Sequence, residues 1–145
     1  MHIAPESPAE ELLALLVECA LPIADISPTS PVQFFGIRSG GTLVAVVGLE
    51  FHCPFALLRS LAVSPAFRGR GLARSLVSFA EAFAASRGVD TLFLLTTTAE
   101  RFFLALGYQP ASRTAAPAVI KATAQFASLC PAASAFLSRQ VAAAG

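Results

Sequence analysis

Residues 57–73 read LLRSLAVSPAFRGRGLA, and this stretch decides the fold. Its first half is apolar, as in a buried strand. A loop with Gly69 and Gly71 follows, and the residues after Gly71 have helical spacing. Glycine permits a positive φ and a close approach of the backbone to a ligand. The stretch therefore predicts a strand, a glycine loop and the beginning of a helix.

Such a loop is typical of phosphate binding. The free N–H groups of the first helical turn point outward at the positive end of the helix dipole. Arg68, Arg70 and Arg74 add positive charge and bidentate donors. The loop does not have the spacing of a Walker loop, nor that of a dinucleotide fingerprint, because Arg74 stands where the latter needs its third glycine.

The rest of the chain alternates between strand and helix patterns. Apolar periodicity, turn residues and capping boxes (Ser7 with Glu10, Thr97 with Glu100) set the expected boundaries. We expect helices at 8–19, 71–87, 99–107 and 117–129, and strands at 32–38, 42–52, 55–63, 91–96, 108–113 and 135–141. This order predicts a mixed α/β sheet covered by helices.

Composition limits the class of protein. The chain has 145 residues, 55% of them hydrophobic and 13% charged. That length predicts a single domain over residues 1–145. Apolar stretches such as Leu43–Leu49 are far shorter than the about 20 residues of a spanning helix. The first residues show no basic region followed by an apolar core. We therefore expect a cytoplasmic protein with no membrane partner, whose surplus apolar surface forms a homodimer interface.

Charge and cysteine usage narrow the class further. The formal net charge is +1, which gives no support to a nucleic-acid partner. Acidic residues dominate the first 58 positions and basic residues the remainder, so the second part can attract an anion. Cys19, Cys53 and Cys130 show no CxxC pair and no metal-ligand spacing with a histidine. They are expected to be reduced thiols, and no metal site is predicted.

Residues 68–73, Arg-Gly-Arg-Gly-Leu-Ala, match the acetyl-CoA signature Gln/Arg-x-x-Gly-x-Gly/Ala of the GNAT N-acetyltransferase superfamily. The preceding LAVSP and the later AERFFLALGY are similar to that family in the same order. Three segments also resemble its arsenic-resistance subgroup, which is related to enzymes acting on phosphinothricin-type amino acids. They are LLRSLAV, LLTTTAERFF and PAVIKATAQFASLCPAASA.

The resemblance implies a mostly antiparallel mixed sheet with a central splay, flanked by helices on both faces. It implies acetyl-CoA as co-substrate, with the pantetheine arm on the strand that ends at Val63 and the pyrophosphate on the glycine loop. The helix after Ala99 would pack along the arm. The cofactor-binding residues are then Leu61, Ala62, Val63, Arg68, Gly69, Arg70, Gly71, Leu72, Ala73, Arg74 and Phe103.

Two positions depart from the family pattern. Phe103 stands where many members have a tyrosine that protonates the leaving thiolate, and Tyr108, the only tyrosine, is expected in the core. Arg59 stands where many members have a glutamate base. A guanidinium cannot act as a base, so Arg59 is predicted to bind a substrate anion, with a surface salt bridge as the alternative.

The remaining candidate bases are Glu50 and His52, at the end of the hairpin strand, with water as a third possibility. Thr96 is a candidate ligand of the substrate or of CoA. The expected activity is direct attack of a small amine on the thioester. The amine would carry an anionic group, such as an arsenical or phosphinic amino acid. The alternatives are a CoA-binding protein without turnover and an arsenic-binding protein that uses the three cysteines.

Overall fold

The computed structural model describes residues 2–129 and 134–141, and within them seven strands form one sheet. The strands are β1 (Ile3–Glu6), β2 (Val32–Ser39), β3 (Thr42–His52), β4 (Phe55–Val63), β5 (Thr91–Thr96), β6 (Gln109–Pro110) and β7 (Ala135–Gln140). Their spatial order is β1-β2-β3-β4-β5-β7-β6. Every neighbouring pair is antiparallel except β4 with β5.

Helices cover both faces of this sheet. They are α1 (Glu10–Glu18), α2 (Leu72–Ser86), α3 (Glu100–Ala105) and α4 (Ala118–Lys121), with a 3₁₀ turn at Pro65–Phe67 and a π-helical turn at Gln125–Leu129. Helix α1 packs on the face that carries Phe34 and Val46. Helix α2 packs on the face that carries Phe35 and Val47. The predicted fold, a mixed and mostly antiparallel sheet between helices, is confirmed.

The parallel pair opens into the predicted splay. Strands β4 and β5 pair only from Phe55 against Thr91 to Leu57 against Phe93. Beyond that point β5 pairs with β7 on its other edge. Among the described residues, positions 58–63 of β4 have no strand partner on the β5 side. A strand edge without a partner presents backbone N–H and C=O groups to any extended ligand.

A bulge interrupts β4 at the same place. Val46 pairs with Ala62 and Gly48 with Arg59, so Val47 faces two residues, Ser60 and Leu61. Ser60 has φ +58°, an uncommon conformation for a residue other than glycine. Bulges turn side chains to a different direction and increase the local twist. This one lies where β4 separates from β5.

Four expectations about local structure were wrong. Helix α1 begins at Glu10 rather than at residue 8, and no side chain caps it. The reason is a strand that the sequence did not indicate: β1 pairs with β2 through to Glu6 and keeps the chain extended. The predicted strand 108–113 is reduced to Gln109–Pro110.

The predicted helix 117–129 is broken after Lys121. The hydroxyl of Thr123 donates to the carbonyl of Ile120 at 2.7 Å, and its oxygen accepts from the N–H of Phe126 at 3.3 Å. A threonine that bonds nearby backbone in this way competes with the helical hydrogen bonds. The capping box predicted for Thr97 with Glu100 is also absent, because the hydroxyl of Thr96 accepts the N–H of Ala99 instead. Among the described residues no helix is long and apolar enough to span a membrane.

Candidate active site

The open edge of β4 leads to the glycine loop. The N–H of Ser64 donates to the carbonyl of Val44 on β3 at 2.7 Å. Since backbone groups alternate along a strand, the carbonyl of Val63 points to the opposite, splayed side. There it accepts the Nε–H of Arg68 at 3.0 Å and contacts the thiol of Cys19 at 3.6 Å.

The two glycines of the loop adopt the left-handed conformation. Gly69 has φ +77° and Gly71, the residue before α2, has φ +79°. A Cβ at either position would meet no atom within 4 Å, so glycine is needed for its conformation rather than for space. No side chain caps α2, a helix of 15 residues. The N–H groups of its first turn are therefore available to an anion.

The three arginines of the loop have different surroundings. Arg68 bonds Val63, as described, and Arg70 lies over the ring of Phe67 with 4.8 Å between the guanidinium carbon and the ring centroid. Both are exposed beside the loop. Arg74 lines a separate cavity between α2, α3 and β7. The structure thus brings two of the three predicted cations to the loop itself.

A cavity of about 320 Å³ fills the splay between β4 and β5. It is lined by the loop after α1, the bulged part of β4, the end of β5 and the beginning of α3. Its lining includes Leu58, Arg59, Ser60, Leu61, Leu94, Leu95, Thr96, Thr97, Thr98, Ala99, Phe103 and Gln125. It is mostly apolar with a few polar groups, the composition expected of a small-molecule site.

Arg59 lies at the wall of this cavity, and its guanidinium is fully buried. Its Nη atoms donate to both carboxylate oxygens of Asp25, at 2.5 and 2.7 Å, and Nη1 also donates to Glu50 Oε1 at 3.2 Å. Burial alone would lower the pKa of Arg59, but Asp25 and then Glu50 outweigh it and raise the pKa. The hydrogen bond from Arg59 lowers the pKa of Asp25 below its usual value.

Glu50 joins this pair to His52. Glu50 Oε2 and His52 Nε2 lie 2.7 Å apart, and the carboxylate side chain is only 7% exposed. Both residues line a second cavity of about 380 Å³, together with Asp25 and Thr123. The two candidate bases are therefore in direct contact, next to a space that a small molecule can enter. A carboxylate bonded to an imidazole is an arrangement that can accept and pass on a proton.

Arg59 is neither a surface residue nor an uncommitted cation. Sequence reasoning expected it at the mouth of the cleft, either as an anion ligand or in a surface salt bridge. The structure pairs it with two carboxylates inside the protein. A buried arginine needs such partners because an isolated charge in the interior is strongly disfavoured.

Thr96, rather than Thr97, organises the beginning of α3. Thr96 Oγ1 accepts the N–H of Ala99 at 2.9 Å and that of Thr98 at 3.4 Å. The predicted capping box of Thr97 with Glu100 was wrong, since no side chain caps the helix at Ala99. Thr96 lines the splay cavity, but its oxygen already accepts two backbone N–H groups.

The two aromatic residues that bear on the leaving group are both buried. Phe103 lines the splay cavity and cannot donate a proton. The hydroxyl of Tyr108 donates to Glu81 Oε2 at 2.8 Å, and Glu81 lines the cavity that also contains Arg74 rather than the splay cavity. Burial, and then Glu81, raise the pKa of Tyr108 well above its usual value.

Sequence reasoning missed two residues of the site. Asp25 lies in the loop between α1 and β2, where neither periodicity nor a motif indicates a contact with Arg59. Ser60 was not singled out because its position depends on the bulge. The only signal was indirect: Arg59 stands within an apolar strand, and an arginine that such a strand buries requires an acidic partner from elsewhere.

The described residues include two of the three cysteines, and these two lie in different surroundings. Cys19 contacts Val63 and Arg68, whereas Cys53 is exposed and contacts the carbonyl of Arg87. Cys130 lies outside the described residues. Within those residues, no group of three histidine, cysteine or acidic side chains is placed to hold a metal ion.

Comparison with known proteins identifies the family to which the protein belongs. The model of the acetyltransferase (GNAT) family matches residues 5–108 of the chain, so the protein belongs to that family. An uncharacterized N-acetyltransferase of Chlorobaculum tepidum is 36% identical over 78 residues, which are 53% of this chain and 50% of the relative. The chain thus spans about half the length of that curated relative. The predicted superfamily is confirmed, and the arsenic-resistance subgroup stays a prediction.

Solved structures support the same fold. N-acetylglutamate synthase from Neisseria gonorrhoeae, complexed with coenzyme A and N-acetyl-glutamate, superposes with a TM-score of 0.78 at 18% identity, over 99% of this chain and 36% of that one. An aminoglycoside 6′-N-acetyltransferase complexed with coenzyme A gives 0.74 at 15% identity, over 100% and 99%. The ribosomal-protein-S18-alanine N-acetyltransferase of Escherichia coli gives 0.71 at 18%, over 99% and 96%.

Proposed function

We propose that the protein transfers the acetyl group of acetyl-CoA to the amino group of a small molecule. The observation that carries this proposal is the connection of three features around β4. The open edge of β4 (58–63) leads through the glycine loop to the uncapped beginning of α2, and Glu50 of the Glu50–His52 pair is hydrogen-bonded to Arg59, next to the bulge. Structural neighbours complexed with coenzyme A support the choice of co-substrate.

The pantetheine arm would lie along β4, pairing with backbone groups of Leu61 and Val63. Its pyrophosphate would accept N–H groups from residues 69–74, and Arg68 and Arg70 would neutralise its charge. For Val63 to take part, Arg68 must leave its carbonyl, and the arriving phosphates provide a stronger partner for the guanidinium. Ala62, Leu72 and Ala73 would contribute through backbone position, and Phe103 through apolar contact in the cavity.

The acceptor amine would enter beside Glu50 and His52. An amine attacks only in its neutral form, so the pair would remove a proton from the ammonium, directly or through water. Attack on the thioester carbon then gives a tetrahedral oxyanion. A backbone N–H near Leu61 to Val63 would stabilise this charge. The reaction needs no covalent intermediate on the protein.

The charges of the site disfavour the expected acceptor, an amine that carries an anionic group. The site holds two carboxylates, Asp25 and Glu50, against one guanidinium. A carboxylate, phosphinate or arsonate of the substrate would have to displace Asp25 from Arg59. We therefore propose an acceptor whose groups near the amine are neutral or cationic.

One experiment separates these functions: thiol release from acetyl-CoA with a panel of amines, acidic amino acids and phosphinic or arsenical amino acids, with the acetylated product identified by mass. Turnover with neutral or cationic amines supports the proposal, and fastest turnover with acidic acceptors would reverse the substrate preference. Binding of CoA without turnover on any acceptor favours the non-catalytic alternative, which the presence of Phe103 and Arg59 at two family positions keeps open. Binding of an arsenical without CoA would favour the thiol-based alternative.

A further inference from the structure

We propose that the hydroxyl of Ser60 is a catalytic group that donates a hydrogen bond to the departing sulfur of CoA. The inference rests on the proposed acetyl transfer. The leaving thiolate needs such a donor because Phe103, which lines the cavity, cannot protonate it and the hydroxyl of Tyr108 is hydrogen-bonded to Glu81.

The bulge places Ser60 at the point where β4 leaves β5. The residue is 8% exposed, has φ +58°, and lines the splay cavity together with Phe103. A serine held in the left-handed region at a bulge carries backbone strain, and such strain is concentrated at functional sites. Its side chain lies on the same side of the strand as that of Arg59, since the two are hydrogen-bonded.

The hydrogen bond from Arg59 uses the oxygen of the Ser60 hydroxyl and leaves its proton for another acceptor. Arg59 Nε–H donates to Ser60 Oγ at 3.3 Å, so the serine oxygen acts as an acceptor. Among residues 2–129 and 134–141, the serine hydroxyl donates a hydrogen bond to no acceptor. A hydroxyl that accepts from a charged donor becomes a stronger donor itself, because hydrogen bonds in a chain polarise one another. Ser60 therefore presents an activated O–H group in a largely apolar cavity.

The other hydroxyl groups of the cavity are less suitable. Thr96 is occupied with the backbone of α3, as described above. Thr97 and Thr98 are exposed, so their hydroxyls exchange hydrogen bonds with water. A donor that is already in place and desolvated stabilises developing charge better than one that must reorient from water.

The ammonium first loses one proton to the Glu50–His52 pair or to water, and the neutral amine forms a bond to the acyl carbon. The nitrogen of the tetrahedral species then loses a second proton to water, so the product is a neutral amide. When the tetrahedral species collapses, the carbon–sulfur bond breaks and its electron pair stays on sulfur. Ser60 keeps its proton and donates a hydrogen bond to the thiolate, which takes a proton from water after release. No oxidant or further reactant is needed.

The test compares thioesters with different leaving groups. For Ser60→Ala we expect kcat with acetyl-CoA to fall by about 10- to 100-fold, the range of one hydrogen bond to a charged group. With an acetyl thioester of an acidic aromatic thiol, the loss should nearly disappear because that thiolate needs no stabilisation. Ser60→Gly removes the same hydroxyl and relieves the positive φ, so it should behave like Ser60→Ala even if the alanine variant is unstable. Ser86→Ala, an exposed serine near the end of α2, is the control.

A second measurement does not depend on turnover. The product CoA, bound to the wild-type protein, should have a thiol pKa lower than in Ser60→Ala or Ser60→Gly, followed through the ultraviolet absorbance of the thiolate. A general loosening of the site would weaken CoA binding and leave no such difference in titration.

Three results would overturn the assignment. They are full activity of both variants with acetyl-CoA, an equal loss with both classes of thioester, and an unchanged thiol pKa. The second result would place the hydroxyl on the carbonyl oxygen instead. Failure of the wild-type protein to acetylate any amine is a different outcome, because it would contradict the proposed function itself.

Discussion

Asp25, in the loop between α1 and β2, holds Arg59 of β4 through two parallel hydrogen bonds of 2.5 and 2.7 Å. The loop thereby closes over the strand that carries the candidate active site. Leu21 and Pro22 of the same loop line the splay cavity. One ion pair thus couples the position of a loop to the shape of the site.

The Asp25–Arg59 pair should make stability depend on pH. The pKa of Asp25 is lowered in the folded protein, so the folded state binds its proton less readily than the unfolded chain. The stabilisation is complete above the unfolded pKa of about 3.9 and is lost as the pH falls through the lower folded value. Asp25→Asn should lower the free energy of unfolding at neutral pH by about 1–3 kcal/mol. This is less than the ~3–5 kcal/mol for breaking a fully buried pair, since Glu50 remains beside Arg59.

Urea unfolding of both proteins between neutral pH and pH values below the unfolded pKa measures this effect. The difference between wild type and Asp25→Asn should shrink towards acid, and the exposed Asp90→Asn should show none. A difference that is constant with pH would mean that charge is not the source.

Glu50→Gln should reduce kcat/KM for the acceptor at neutral pH by about 100-fold or more, the usual contribution of a general base. The loss should shrink as the pH rises, because the free amine fraction then no longer depends on the protein. His52→Gln should give the same profile with a smaller loss. The measurement is the pH profile of acceptor kcat/KM, with the exposed Glu18→Gln as control. A loss that does not vary with pH would point to a structural role through Arg59.

Arg68→Ala should weaken CoA by about tenfold, since it removes a charge-assisted contact to phosphate. Binding of pantetheine, which has no phosphate, should be unchanged or stronger, because the carbonyl of Val63 is then free of its guanidinium partner. Calorimetric titration with both ligands measures this. Equal weakening of both ligands would show that Arg68 supports the strand instead.

Tyr108→Phe should leave kcat unchanged, since its hydroxyl contacts Glu81 rather than the splay cavity. The free energy of unfolding should fall by about 1–3 kcal/mol, the range for a hydrogen bond to a charged group. Steady-state rates and urea unfolding of the same variant measure both. A large loss of kcat in a stable variant would make Tyr108 part of the chemistry.

The fold could be predicted where the pattern was local. Strands β3, β4 and β5 have the predicted boundaries, and α2 differs by a single residue at each end, because apolar periodicity and glycines are visible in sequence. Strand β1 could not be predicted, since its four residues include Pro5 and show no alternation. The break at Thr123 depends on where one hydroxyl points.

The site was predictable in composition rather than in geometry. The sequence indicated Glu50, His52 and Arg59 as polar groups near one cleft. Glu50 and His52 are two residues apart on β3 and so lie on one face, but the contact of Glu50 with Arg59 also depends on the register that places Gly48 opposite Arg59. Asp25 comes from an irregular loop, so only the folded chain brings it to Arg59.

The bulge at Ser60 determines what the deletion of one residue from β4 would do to the site. Two residues of β4 lie opposite Val47, so deleting one would restore a regular ladder. Arg59 and Ala62 pair with Gly48 and Val46, which lie on one face of β3, so both would keep that face in the shortened strand. The deletion would instead remove the positive φ at Ser60 and the added local twist at the place where β4 leaves β5. We expect a β4 shortened by one residue to keep its packing on the helices and to lose the opening that admits a ligand.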